Sequence, residues 1–88
     1  MWVQNKLADI AIKQGELDKG EKLLNIGLVV AEWNKDKGLS CDYQCCFAYL
    51  ERARGNIEKS QEHGKKAIDG FNRLGMLQES EDMRTFLL

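Results

Sequence analysis

The sequence predicts an all-α fold, a stack of antiparallel helix hairpins, on three observations. Apolar residues recur at steps of three and four along an 88-residue chain, the spacing that paints one face of a helix. The chain has no proline, so nothing in it removes a backbone donor from the interior of a helix. Glycines at 15, 38, 55 and 75 separate the periodic stretches, and glycine enters the left-handed helix cap at least cost. Links this short make neighbouring helices antiparallel.

Five helices are expected, at about 2–14, 17–36, 40–54, 57–74 and 77–87. Val3, Leu7, Ile10 and Ala11 give the first its face, and Gly15 ends it. Asp18 and Glu21 form a capping-box pattern ahead of the second. That helix has two apolar stripes: Leu17, Leu24, Leu28 and Ala31, and then Leu23, Ile26, Val30 and Trp33. Two stripes mean burial on two sides, or one buried side plus an interface. The polar run from Asn34 to Gly38 is the expected second stop, and Ser40 the expected cap of the third helix. Cys41, Cys45 and Ala48 with Tyr43, Phe47 and Leu50 supply the third helix's faces. The fourth buries Ile57, Ser60, Gly64, Ala67, Ile68, Phe71 and Leu74. The fifth is polar over Gln78–Asp82 and apolar at Met83, Phe86, Leu87 and Leu88.

Thirteen basic residues balance fourteen acidic ones. This excludes the basic excess of a nucleic-acid domain. No apolar run approaches the ~20 residues a membrane span needs, and the N-terminus lacks the basic-then-apolar shape of a secretion signal. Cys41, Cys45 and Cys46 are an odd, clustered set, poorly placed for bridging. Reduced thiols in a cytoplasmic protein are expected.

The stops also mark a repeat. At an offset of 40, Leu7 meets Phe47, Ala8 meets Ala48, Ile10 meets Leu50 and Asp18 meets Glu58. Small residues sharpen it: Ala8, Gly20 and Gly27 are answered by Ala48, Ser60 and Ala67. Glycine inside a helix costs about 1 kcal/mol against alanine, so Gly20, Gly27, Gly64 and Gly70 call for close helix–helix approach. Large and small residues flanking a turn in this way resemble the tetratricopeptide repeat (TPR) family. Leu7-Ala8, Gly15, Gly20, Leu24 and Gly27 fit one repeat, about 2–38. Phe47-Ala48, Gly55, Ser60 and Ala67 fit a second, about 39–75, and 76–88 is a terminal helix, all in a single domain of 1–88. Gln4 and Gln44 depart from the family's usual Trp, and Ala11 and Glu51 from its usual Tyr. The period is longer than the common ~34, similar to the lengthened repeats of bacterial signalling ATPases and regulators.

The resemblance implies a right-handed superhelical stack. It also implies a non-enzymatic role in protein–protein interaction, as scaffold or regulatory part of a larger protein. First helices of each pair would line a groove carrying Asn5, Lys6, Asp9 and Lys13, then Asp42, Cys46, Tyr49 and Arg52. Lys6, Asp9, Lys13, Tyr49 and Arg52 are the candidate partner-binding residues, Tyr49 and Arg52 because aromatics and arginine concentrate interface energy. The expected partner is a protein or peptide, with no nucleic acid, membrane or cofactor. The alternative is a small helical oligomerisation bundle without a groove, its copies meeting through Leu23, Ile26, Val30, Trp33 and the C-terminal Phe86-Leu87-Leu88.

Catalysis and metal binding find little footing. The sequence holds no phosphate-binding loop, nucleophile elbow or paired-histidine motif. Zinc takes four ligands, usually in two spaced pairs, and the three cysteines lack a second pair. They are expected as small core fillers. The lone His63 is expected on a helix surface, and Trp33 at the edge of the core.

Overall fold

The computed structural model describes residues 10–87. Among them, helical residues 10–13 (α1) are followed by α2 (Leu17–Trp33), α3 (Lys37–Ala53), α4 (Ile57–Arg73) and α5 (Leu77–Leu87), with no strand. The all-α expectation holds. Lys6, Ala8 and Asp9 lie outside the described residues.

The helices do not alternate short and long. α2, α3 and α4 have 17 residues each, and starts at Leu17, Lys37, Ile57 and Leu77 fall every twenty residues. The links repeat too. The residues at positive φ are Gly15 (83°), Lys35 (57°), Gly55 (84°) and Gly75 (75°). Each turn closes with the same backbone bonds. In the second, the Lys35 N–H donates to the Glu32 carbonyl at 3.0 Å and the Asp36 N–H to the Ala31 carbonyl at 2.9 Å. These two bonds together make a Schellman cap.

Two expectations are corrected here. The second stop is Lys35, not Gly38, and the cap of α3 is Asp36, not Ser40. Asp36 accepts the Leu39 N–H at 3.0 Å, which satisfies a donor the first helical turn leaves open. Gly38 lies inside α3, where a Cβ would stand 3.9 Å from the Met76 sulfur. That is an ordinary contact distance, so neither a turn nor a close approach requires glycine at this position.

Successive helices are antiparallel. The Arg54 guanidinium, just past the end of α3, reaches the start of α2 at Asp18 (2.9 Å) and Glu21 (2.7 Å). α3 and α5 run side by side in the same direction, for Gly38 lies near Met76 at one end and Arg52 near Phe86 at the other. The result is a slab of 33 × 31 × 17 Å, with hairpins stacked along it.

The central α3 belongs to both halves of the core. Tyr43, Phe47 and Leu50 pack with Leu24 and Ala31 of α2. Cys41 and Ala48 pack with Ala67 and Phe71 of α4 and Met83 of α5. Small residues sit where the chains come closest. Gly27 is roofed by the Tyr43 ring and Gly70 by the Cys41 sulfur, while a Cβ on Gly64 would stand 2.7 Å from the Leu87 methyls. The Ser60 hydroxyl donates to the Ala48 carbonyl at 2.7 Å, a bond only a small residue at each site permits. On α4 the expected inner face holds at Ser60, Gly64, Ala67 and Phe71. It fails at the helix ends, where Ile57 and Leu74 are exposed.

Candidate interaction surface

The structure brings two predicted binding residues together and turns them on the protein itself. Arg52 Nη1 donates to the Phe86 carbonyl at 3.0 Å, and its guanidinium lies 4.7 Å above the Phe86 ring. The Tyr49 ring meets the same ring edge-on, with centroids 4.4 Å apart. Such contacts each contribute on the order of 0.5–1 kcal/mol, here spent on holding the end of α5 against α3. Beside them lies a shallow hollow of about 170 Å³, lined by Arg52, Ile57, Ser60, Gln61, Phe86 and Leu87. Lys13 is exposed at the end of α1 and is not part of this cluster.

The other side of Tyr49 faces Asp42, Cys45, Glu79 and Asp82. Burial, reinforced by Glu79 and Asp36, raises the Asp42 carboxyl above the ordinary aspartate range. Burial pushes the Cys45 thiol up to about 12, with Cys46 the next cause, and raises Cys41 as well. Protonated thiols are poor nucleophiles. No group of three His, Cys, Asp or Glu among the described residues is placed to hold a metal ion.

His63 is not a surface histidine. It is half-buried, its ring stacks on Phe47 at 5.2 Å, and Nδ1 lies 2.7 Å from Gln44 Oε1. A neutral ring there donates Nδ1–H to the amide oxygen. Burial, then Lys66, lowers its pKa below 6.5, against the pull of Glu51 and Glu62. The folded state therefore binds fewer protons than the unfolded one. This contribution to stability is complete above pH 6.5 and is lost as pH falls through 6.5 toward the lowered value. Urea unfolding at pH 7.5 and 5.5 should show the wild type losing more stability than His63→Gln; equal losses would refute it.

The largest departure from solvated helix chemistry is on α2. Ile26 (53% exposed), Val29 (60%) and Trp33 (83%) form a row directly opposite the buried Leu24, Gly27 and Ala31. Trp33 thus does not cover the core edge. The repeat supplies an internal reference for this row. Forty residues on, the same face of α4 carries Lys66, Asp69 and Arg73, all exposed, with Arg73 paired to Asp69 at 3.1 Å. The fold accepts charge at these positions, so burial within it does not explain the apolar residues on α2. Comparison with protein-family models, curated proteins and solved structures finds no match to this chain.

The sequence stripe of Leu23, Ile26, Val30 and Trp33 shares Ile26 and Trp33 with this row, but its Val30 is half-buried and the exposed Val29 lies outside it. The signal that finds Val29 is its counterpart Asp69: a charged residue marks a position the repeat leaves in water. No helix among the described residues is long and apolar enough to cross a membrane.

Proposed function

We propose that this chain is a non-enzymatic protein–protein interaction module, a scaffold or regulatory element of the cytoplasm. Its contact surface is the α2 row of Ile26, Val29 and Trp33. One observation carries the reading: this row is exposed and apolar where the equivalent face of α4 is exposed and charged. Isolated apolar residues on a surface are ordinary; a row of them at helical spacing marks a site for another molecule. Trp33 is its natural anchor, since tryptophan concentrates binding energy. The reading as a long-period TPR-like stack is supported by antiparallel hairpins repeating every forty residues, with small residues at the close approaches. Tyr49 and Arg52 are engaged with Phe86, which favours α2 over the α3 face as the place of contact.

Site-specific photo-crosslinking tests this in cells that make the protein. A benzoylphenylalanine at position 29 should give a discrete protein adduct, and one at position 69 none. Equal labelling from both positions, or none from 29, would overturn it. Val29→Glu should meanwhile leave folding stability within about 0.5 kcal/mol, as at ordinary surface sites.

A further inference from the structure

We propose that the partner of the α2 row is a second copy of this chain, bound with the two α2 helices antiparallel about a twofold axis. The inference rests on the reading of that row as a contact surface and names its occupant. The evidence is the order of residues along the row. Lys19, Lys22, Ile26, Val29 and Trp33 follow at steps of three, four, three and four, the seam spacing of paired helices that supercoil. All five are exposed. A seam of this period keeps facing a partner helix along its whole length, while the opposite face stays on α3 through Leu24, Gly27 and Ala31.

The seam is complementary to its own reverse. With the axis level with the Gly27–Leu28 peptide, Ile26 of each copy meets Val29 of the other, giving an aliphatic centre. Lys22 of each copy then lies across the indole of Trp33 on the other, where its stem covers the ring and its ammonium meets the negative π face. At each end Lys19, paired with Glu16 of its own chain at 3.6 Å, closes the seam. Flanking the seam, the half-buried Leu23 and Val30 face each other across the pair, and Asn25 faces Glu32. The parallel arrangement sets Lys19 on Lys19 and Lys22 on Lys22, a like-charge juxtaposition. A heterologous partner gives no reason for such reversal symmetry, whereas a twofold dimer requires it. One helix pair lies at the small end of specific interfaces, below about 1,200 Å² in total, so the dimer is a weak and reversible one.

Sedimentation equilibrium of the whole chain from 5 µM to 1 mM tests the proposal. The wild type should show a concentration-dependent monomer–dimer equilibrium, and Val29→Glu should be monomeric throughout with an unchanged helical circular-dichroism spectrum. Lys22→Glu places a carboxylate over the indole and should raise the dissociation constant at least tenfold. Glu62→Lys, at the matching position of α4, should change nothing. A photo-crosslinker at position 33 should label residues 19–22 of the second copy. A wild type that stays monomeric at 1 mM overturns the proposal, as does a dimer indifferent to Val29→Glu, or a crosslink from position 33 to position 33. An adduct from position 29 to a different protein, with no dimer, overturns the second copy and leaves the contact surface standing.

Discussion

Phe71→Ala should remove about 3–5 kcal/mol of folding stability, the cost of truncating a buried aromatic and leaving its cavity. Phe71 is 1% exposed and packs with Cys41 and Ala48 of α3, Ala67 of its own helix and Met83 of α5. A chain of 88 residues has roughly 4–13 kcal/mol in all, at about 0.05–0.15 kcal/mol per residue, so the loss is about a quarter of the total at the least and all of it at the most. The loss should spread through the molecule. α3 contributes Tyr43, Phe47 and Leu50 to one cluster and Cys41 and Ala48 to the other, so the two halves share a wall. Urea titration followed by circular dichroism measures the size of the loss. Hydrogen exchange at α2 amides measures its reach. A drop under about 1 kcal/mol, or α2 protection unchanged from the wild type, would refute this account of α3 as the shared wall.

The sequence made the helical periodicity legible because burial on one face is written at every third or fourth residue, and the repeat of forty because small residues must recur where backbones approach. The sequence asks for close approach at Gly27, Gly64 and Gly70, and each has a side chain over it. The phase of the second turn was not legible. Glycine is the expected left-handed residue, yet Lys35 takes that conformation at a cost of order 1–2 kcal/mol. The fixed turn geometry, with Asp36 positioned to cap α3, holds it there. Gly38 lies inside α3, and taking it as the stop puts the expected boundary three residues late. The contact of Tyr49 and Arg52 with Phe86 is not legible in the sequence for a related reason. Their spacing on α3 is right for an outward face, but Phe86 arrives from a helix 34 residues further on, and no local pattern announces it. The α2 row was half legible. Its apolar content is plain in the sequence, while its exposure follows only when Val29 is set beside Asp69.

Gly27→Leu should destabilise the packing of α2 on α3 by about 3 kcal/mol or more. Any side chain at position 27 starts with a Cβ inside the space of the Tyr43 ring, and Tyr43 has no exposed surface through which to retreat. Overpacking of this kind typically costs about 1–3 kcal/mol, and more where the neighbour cannot move. Leucine's better helix propensity returns under about 1 kcal/mol, too little to reverse the sign. Removing the ring separates this mechanism from a general intolerance of the site. Tyr43→Ala alone should cost about 3–5 kcal/mol through its cavity. In the double variant the leucine enters that cavity, so the two losses should fall short of additivity by about 1–3 kcal/mol. The four chains form a double-mutant cycle by urea unfolding, with Gly27→Leu measured in a stabilising osmolyte if it does not fold without one. Strict additivity would mean that the ring is not what excludes a side chain from position 27. Gly27 would then owe its place to the backbone, and the close approach of α2 to α3 would lose its explanation.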